Sequence, residues 1–371
     1  MKKSLIALAV LAAAGASFAQ SSVTLYGIAD IWVGQTSGSV TVNGVKTDVP
    51  TMTVMESGGV SGSRWGMKGT EDLGGGLKAN FNLEQGFKLD TGAAADAKKM
   101  FNRQAWVGVS GGFGAVKLGR SGTAYDDILG TNNNTFDSAL TARPWVGYAA
   151  TVDNQLYYAM PAMGGFSGAV SYALGEGKAA TTANPVNVSA GSVFALNVQY
   201  AQGPFMVGFA HQKEKTDNKL GLGALTGIND LLTQVGVPAA NRLVAPAGST
   251  AQYNLLTGSY DLRVVKLLAS YNKATLNDTT GDVDFKEFQL GADVPLASNM
   301  TLALGYGESK ADAGGELYKA KAYSAAVAYS LSKRTTAYAG FNIGKVAFDP
   351  TNVANAEVKT NLYAIGVKHT F

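Results

Sequence analysis

The sequence has no cysteine, only nine prolines and only two histidines among its 371 residues. Without cysteine there is no disulfide framework, no thiolate nucleophile and no cysteine-ligated metal. His211 and His369 have neither a Gly-x-Ser-x-Gly partner nor a second ligand at metal-binding spacing. We therefore expect no enzymatic activity, no catalytic residue, no metal site and no cofactor.

The sequence also lacks a marked excess of positive or negative charge. The chain carries 30 Lys and Arg residues against 27 Asp and Glu residues, a net charge of +3. Nucleic-acid-binding proteins show a strong basic excess on the binding domain. We expect no nucleic-acid partner.

Long hydrophobic runs are absent apart from one near the start. Lys2 and Lys3 precede an apolar run over residues 5–16, and small residues at Ser17 and Ala19 follow it. This order is typical of a secretory signal peptide, and the run is shorter than the roughly 20 residues of a membrane-spanning helix. We expect a signal peptide at 1–19, cleaved after Ala19, and a single domain at 20–371. If this exported chain enters a membrane, it must do so as a closed barrel.

Apolar and polar residues alternate along much of the remaining chain. Leu77, Ala79 and Phe81, for example, alternate with Lys78, Asn80 and Asn82. Alternation is typical of a β-strand with two different faces, which occurs both in a soluble sandwich and in a membrane barrel.

The lengths of the connections decide between these two folds. Short and long connections alternate, seven of one kind and eight of the other, so fifteen connections join sixteen strands. This asymmetry is typical of an all-β transmembrane antiparallel β-barrel with short periplasmic turns and long external loops. Barrels of about 16 to 18 strands enclose an aqueous channel. The short turns are expected at 71–76, 111–114, 162–165, 201–204, 261–263, 295–299 and 332–334, and the long loops at 35–60, 89–99, 121–149, 176–190, 214–251, 276–282, 311–319 and 347–358.

The last expected strand ends on an aromatic residue. Phe371, Val367, Ile365 and Tyr363 share one face, which is expected to be the lipid side. A terminal aromatic residue in this position is similar to the signal that the β-barrel assembly machinery reads in the outer membrane. Phe371 is therefore the candidate assembly signal.

Six segments together resemble the general porins of β-proteobacteria, relatives of the neisserial porins, over nearly the whole chain after residue 19. They are SSVTLYG at 21–27, SRWGMKGTEDLGGGLKA at 63–79, MFNRQAWVG at 100–108, LGR at 118–120, LSKRT at 331–335 and GVKHTF at 366–371.

The resemblance implies an integral outer-membrane protein that forms a homotrimer of sixteen-stranded barrels. It implies passive diffusion of ions and small hydrophilic solutes through each barrel. In that family the third external loop, here 121–149, folds inward and narrows the pore. The surrounding partners would be outer-membrane lipids and lipopolysaccharide.

Arginines within strands are candidates for the pore wall. An arginine on the lipid side near the bilayer midplane costs about 2–4 kcal/mol, so Arg64 and Arg103 are expected to face the lumen. The interpretation places Trp106 on the opposite, outward face. The resemblance also puts these two arginines on the pore wall and Arg120 at the base of the inward loop. The candidate constriction residues are Arg64, Arg103, Arg120 and Arg143 with Asp126, Asp127 and Asp137.

Two departures from the family weaken the expected charge pattern. The stretch 149–154 lacks the arginine that the family commonly has before its Asp-Asn pair, and Arg143 is a candidate substitute. The centre of the loop is Asn132-Asn133-Asn134 rather than acidic. We expect a mild preference for anions. Two alternatives stay open, a substrate-specific channel, with a gate in the loop 214–251 and its potential helix at 228–235, and a surface-binding barrel.

Overall fold

The computed structural model describes residues 22–132, 138–142, 147–175, 191–215, 249–278, 281–312, 316–348 and 356–371. The expected signal peptide, Asp137, Arg143, the loop 176–190 and nearly all of the loop 214–251 with its potential helix lie outside these residues. No helix in the described ranges is long and apolar enough to cross a membrane.

Seventeen strand segments form one antiparallel sheet that closes on itself. The segments are β1 (Ser22–Val42), β2 (Val45–Ser57), β3 (Arg64–Gly74), β4 (Leu77–Gly86), β5 (Gln104–Gly111), β6 (Gly114–Gly122), β7 (Thr151–Ala159), β8 (Phe166–Leu174), β9 (Ser192–Gln202), β10 (Phe205–Lys215), β11 (Thr250–Asp261), β12 (Lys266–Asp278), β13 (Gly281–Ala297), β14 (Met300–Asp312), β15 (Glu316–Ser330), β16 (Thr335–Phe348) and β17 (Ala356–Thr370). One helix, α1 (Ala124–Asn132), follows β6.

The barrel closes between its first and last strands. β1 pairs with β17 from Ile28–Thr370 to Val42–Ala356. A closed sheet leaves no unpaired edge, as a membrane barrel requires because lipid cannot satisfy backbone groups.

Sixteen strands go around the barrel, as expected, because β2 and β3 are two parts of one strand. β3 pairs with the first part of β1, from Ser22 to Ile28, and β2 pairs with the later part, from Ile31 to Val42. The strand is interrupted over residues 58–63.

The buried carboxylate of Asp30 holds this interruption. It accepts hydrogen bonds from the backbone N–H groups of Gly59 and Val60 at 3.1 Å and of Ser61 at 2.8 Å, and from the Tyr338 hydroxyl at 2.5 Å. The side chain of Asp30 thus satisfies three backbone donors that have left the strand ladder.

The expectation of a long external loop over 35–60 is wrong. β1 and β2 continue through most of this segment and form a hairpin with a two-residue turn, Asn43-Gly44. Both turn residues have positive φ, 49° and 81°. A type I′ turn needs positive φ at both central positions, and Asn-Gly supplies it at little cost.

The two faces of the wall differ as the alternation predicts. Val107, Leu256 and Ile365 are 59%, 54% and 60% exposed, whereas Ala195 and Ala210, which point the other way, are fully buried. Apolar side chains on the outer surface suit a barrel surrounded by lipid.

Candidate functional site

Two arginines share one carboxylate on the inner wall. The Nε atom of Arg103 lies 2.7 Å from Oε1 of Glu84, and the Nε atom of Arg64 lies 3.9 Å from Oε2 of the same side chain. Arg64 begins β3 and Glu84 lies near the end of β4, paired with Gln104 at the start of β5. Glu84 therefore offsets part of the positive charge of both arginines.

The Tyr26 hydroxyl extends this group. It lies 2.9 Å from Oε2 of Glu84 and 2.9 Å from Oδ1 of Asn82. Only 10% of the Glu84 side chain is exposed, whereas 40% of the Arg103 side chain is exposed. The carboxylate thus lies behind the arginine, and Arg103 presents its charge towards the solvent of the pore.

The third arginine belongs to a separate ion-pair group. Arg120 on β6 donates from Nε to the backbone carbonyl of Asn102 at 2.6 Å and from Nη1 to Oδ1 of Asp153 at 2.6 Å. Lys99 pairs with the other oxygen of Asp153. Arg120 therefore ties the loop before β5 to β7.

Two lysines on the same side of the barrel lie over aromatic rings. The Nζ atom of Lys117 is 4.2 Å from the ring centre of Tyr157 and 5.3 Å from that of Trp106. The Nζ atom of Lys68 is 5.1 Å from the ring centre of Tyr26. Cation–π contact holds these ammonium groups against the wall.

The helix α1 follows β6 and begins at a threonine. The Oγ1 atom of Thr123 accepts a hydrogen bond at 3.3 Å from the backbone N–H of Asp126, the arrangement of a helix N-cap. Asp126 and Asp127 lie in the first turn, where the helix dipole favours negative charge.

Buried contacts fix this helix to one side of the barrel. Tyr125 is 1% exposed, and its hydroxyl donates to Oδ1 of Asn272 on β12 at 3.0 Å. The backbone carbonyl of Ala124 accepts from Asn197 on β9 at 2.6 Å. Tyr148 packs edge-on against the ring of Tyr125 at 5.0 Å.

The short segment 138–142 contacts further strands. The carbonyl of Ala142 accepts from Gln289 on β13 at 2.6 Å, and the carbonyl of Thr141 accepts from Asn342 on β16 at 2.8 Å. The described parts of 121–149 therefore contact the inner wall from β7, through Tyr157, to β16, and also the backbone of Gly58 and Gly59. The three arginines lie outside these contacts, on the inner wall from β3 to β6.

The two acids of α1 have tyrosine partners. The hydroxyl of Tyr148 donates to Oδ1 of Asp126 at 2.6 Å, and the hydroxyl of Tyr157 donates to Oδ2 of Asp127. Burial raises the pKa of the Asp127 carboxyl to about 6, although Tyr157, Asn197 and the charge of Lys117 act in the opposite direction. Asp127 therefore changes charge in the physiological range.

The outward position expected for Trp106 is wrong. Its Nε1 atom donates to Oε1 of Gln104 at 2.8 Å, it lies against Lys117, and its register partner is the inward residue Asn82. Val107 is the residue that points outward. Arg103 reaches the interior because it lies just before β5, where strand alternation does not apply.

The structure places the described candidate residues in three groups. Arg64 and Arg103 meet at Glu84, and Arg120 lies with Asp153, whereas Asp126 and Asp127 lie on α1. The sequence interpretation missed the residues that complete the groups, although the polar face of β4 indicated Glu84 and the Asp-Asn pair contained Asp153. The missed residues are Tyr26, Lys68, Glu84, Lys99, Lys117, Asp153 and Tyr157.

A closed sixteen-stranded barrel with an apolar outside and fixed charges on its inner wall defines an outer-membrane channel protein. A sequence profile of the Gram-negative porin family matches residues 5–345. The chain belongs to this family.

Individual relatives agree with this assignment. Outer membrane porin protein 32 of Delftia acidovorans is 33% identical over 94% of this chain and 89% of the relative. An outer membrane porin protein of Bordetella pertussis is 29% identical over 100% of both chains. Among solved structures, the anion-selective porin from Comamonas acidovorans has a TM-score of 0.71 at 24% identity and covers 95% of this chain and 100% of that one. The chain is thus an integral outer-membrane porin, and its lumen is a channel for passive diffusion.

Proposed function

We propose that this porin passes ions and small hydrophilic solutes with a mild preference for anions, and that the segment 121–149 forms the narrowest part of its pore. The observation that carries the proposal is the excess of cations on the strands that this segment leaves uncovered. Fixed charges at a narrowing set the selectivity of a pore.

The excess is small. Six cations and four acids belong to the groups described above, and one of the acids, Asp127, is only partly ionised near pH 6. Because Glu84 and Asp153 neutralise much of the arginine charge, we expect a weak preference rather than exclusion of cations. The cations are Arg64, Lys68, Lys99, Arg103, Lys117 and Arg120, and the acids are Glu84, Asp126, Asp127 and Asp153. Asp137 and Arg143 remain candidates in the part of the chain outside the described residues.

The test is the reversal potential of the purified protein in a planar bilayer with a salt gradient. The proposal expects large open steps and a potential that favours chloride. A double variant, Lys46→Gln with Lys333→Gln, is the control, because both lysines lie far from the inner wall groups in a hairpin and a short turn. A potential that favours the cation, or equal shifts in the control and in Arg103→Gln, would contradict the proposal.

We further propose a homotrimer. One solved neighbour, OmpT of Vibrio cholerae, is described in a trimer form and matches with a TM-score of 0.60 at 16% identity, which supports the shared fold. The proposal expects bilayer currents that close in three equal steps and a trimer mass by native mass spectrometry. A monomer mass with single-step closure would contradict it.

Export is part of the same proposal. Cleavage after Ala19 leaves Gln20 at the start of the protein, and Phe371 is proposed as the signal for the assembly machinery. N-terminal sequencing of the protein from outer membranes tests the cleavage, and any other first residue would contradict it.

A further inference from the structure

The segment 58–62 leaves the strand ladder after β2 and returns to it just before β3. Its two ends are joined by the hydroxyls of Ser57 and Ser63, whose Oγ atoms are 2.8 Å apart. The backbone carbonyl oxygen of Asp30 lies 3.3 and 3.0 Å from these two hydroxyl oxygens. The same carbonyl accepts from the N–H of Gly58 at 2.9 Å. The base of the segment is therefore closed on one residue of β1.

The side chain of Asp30 fixes the rest of the segment. Its carboxylate accepts from the three N–H groups of 59–61 and from the Tyr338 hydroxyl. A Cβ atom at Gly59 would collide with the ring and the hydroxyl of Tyr338, so this close approach requires glycine. Asp30 and Tyr338 are 0% and 4% exposed, so neither side chain can touch a solute in the pore.

One side of this segment supports residues 138–142, which we call the loop tip. The N–H of Leu140 donates to the carbonyl of Gly59 at 3.2 Å, and the Ser138 hydroxyl donates to the preceding carbonyl. Leu140 is buried in one apolar cluster with Val60. The other hydrogen bonds of the loop tip go to β13, β15 and β16. The loop tip therefore has two supports, one of which is the segment held by the aspartate.

The other side of the segment contacts the arginine pair. Nη1 of Arg64 donates to the carbonyl of Gly62 at 3.2 Å, and Nε of the same guanidinium lies 3.9 Å from Glu84. A Cβ atom at Gly62 would lie 3.8 Å from Nη1 of Arg103. The same short segment thus links the loop tip to the positive charge on the facing wall.

We propose that Asp30 and Tyr338 are positioning residues of the pore. Through the segment 58–62 they hold both the loop tip and the Arg64 guanidinium, and so determine the width of the channel and the place of its positive charge. Fixed charges at a narrowing set ion selectivity, so two buried side chains act on selectivity without touching an ion. The inference rests on the proposed narrowing of the pore by 121–149, but it holds for either sign of ion preference.

The chemistry of the carboxylate decides which variants test this role. Oδ1 of Asp30 accepts from Gly59 and Tyr338. Oδ2 accepts from Val60 and Ser61. In Asp30→Asn one of these oxygens becomes an NH₂ group, which donates and cannot accept, so part of the segment must move. Tyr338→Phe keeps the three backbone hydrogen bonds and the charge, so we expect a smaller effect.

The experiment measures the single-channel conductance and the reversal potential of the refolded full chain in planar bilayers with a salt gradient. The variants are Asp30→Asn and Tyr338→Phe, each alone and combined with Arg64→Gln. Tyr158→Phe is the matched control, because its hydroxyl donates to the carbonyl of Phe113 in the short turn before β6. Heat-modified gel mobility checks that each barrel is folded.

The proposal expects several conductance levels per pore in Asp30→Asn in place of one, because the loop tip loses one of its two supports. The permeability ratio should change by about twofold, since a charge that moves from about 4 to about 8 Å from an ion loses half of its interaction energy. In the Arg64→Gln background the same substitution should change the ratio far less, because the charge through which it acts is missing. Tyr338→Phe should show smaller changes of the same kind, and Tyr158→Phe none.

Two outcomes would overturn the proposal. Conductance levels and a permeability ratio like those of the wild type in Asp30→Asn and Tyr338→Phe would leave both residues with a purely structural role. Equal shifts with and without Arg64 would show that the aspartate acts through its own charge. If Asp30→Asn does not refold, Tyr338→Phe decides alone. An unchanged ratio in Arg103→Gln would instead contradict the proposed constriction itself, so the two failures are distinguishable.

Discussion

The Nε atom of Arg103 lies 2.7 Å from Oε1 of Glu84, and the arginine is four times as exposed as the carboxylate, at 40% against 10%. The charge of Arg103 therefore acts more strongly than that of Glu84 on ions in the pore. A neutralised carboxylate leaves Arg64 and Arg103 without their common partner, whereas a neutralised Arg103 leaves a carboxylate that Arg64 still approaches.

The first prediction concerns this pair. Glu84→Gln should move the reversal potential further towards chloride, and Arg103→Gln should move it towards the cation. One unit charge about 4 Å from an ion is worth about 1 kcal/mol in bulk water, so each change in permeability ratio should not exceed about fivefold. Planar-bilayer measurements in a salt gradient give both values. Shifts of the same sign would contradict the assignment of the pair to the pore.

The second prediction is a pH dependence. The raised pKa of Asp127, about 6, means that this carboxyl is ionised above pH 6 and neutral below it. Anion preference should therefore rise as the pH falls through about 6. The Asp127→Asn variant should have the higher anion preference above pH 6, should match the wild type below it, and should lose the step near pH 6. If Asp126→Asn, rather than Asp127→Asn, removes the step, the neighbouring acid is responsible.

The third prediction concerns the attachment of α1. Tyr125→Phe removes a buried hydrogen bond to Asn272, and a buried acceptor that loses its donor costs about 1–3 kcal/mol. We expect more current noise and more frequent closures at constant voltage, with a barrel that is still folded. Tyr323→Phe, at an exposed outer position, is the control. Identical single-channel noise in the two variants would contradict the role of Tyr125.

The fourth prediction concerns the stability of the barrel. Asp30→Ala leaves three backbone N–H groups near residues 59–61 without their acceptor, and each buried unsatisfied group costs about 1–3 kcal/mol. The loss in the free energy of unfolding should be about 3 kcal/mol or more in urea titrations. Tyr338→Phe removes one of the four partners and should cost about 1 kcal/mol. Equal losses would show that the three N–H groups find other acceptors.

The fifth prediction concerns Phe371. Gly27 and Phe371 exchange backbone hydrogen bonds of 3.0 and 3.1 Å, and a Cβ atom at Gly27 would lie 2.3 Å from the Phe371 ring. Gly27→Ala should therefore lower the refolding yield in detergent, because the ring must move away and the Arg64 backbone carbonyl, 2.7 Å from the same Cβ position, must shift. Phe371→Ala should refold normally but reach the outer membrane in smaller amounts. Normal amounts in cells would contradict the assembly signal.

The barrel can be predicted from the sequence alone because the features that indicate it extend along the whole chain. A signal peptide, alternating strands and two classes of connection each follow from composition and period, and the expected number of sixteen strands is confirmed. The loop expected at 35–60 is a hairpin instead. The expectation rested on the length and polarity of the segment and did not use the Asn43-Gly44 turn sequence. That dipeptide is a specific turn sequence and would have corrected the interpretation.

The site was harder to predict because it depends on the ends of strands. The expectation put Arg103 in the lumen and Trp106, by alternation, on the outer face, as would hold if β5 began before Arg103. The backbone leaves the strand before Gln104, so the arginine turns inward while Trp106 takes the inner face. Pairs such as Arg120 with Asp153 join distant parts of the chain, and a single sequence has no signal for which acid meets which base.

The pairing of β1 with β17 also determines when the fold can be completed. Tyr338, which binds Asp30, lies 308 positions after it in the chain. Contacts between such distant residues are slow to form, because a long loop must close before any of them can stabilise the fold. Until β17 arrives, β1 is an unprotected edge that can pair with other chains. A partner that shields this edge during insertion would therefore matter more for the yield of this protein than for its final stability.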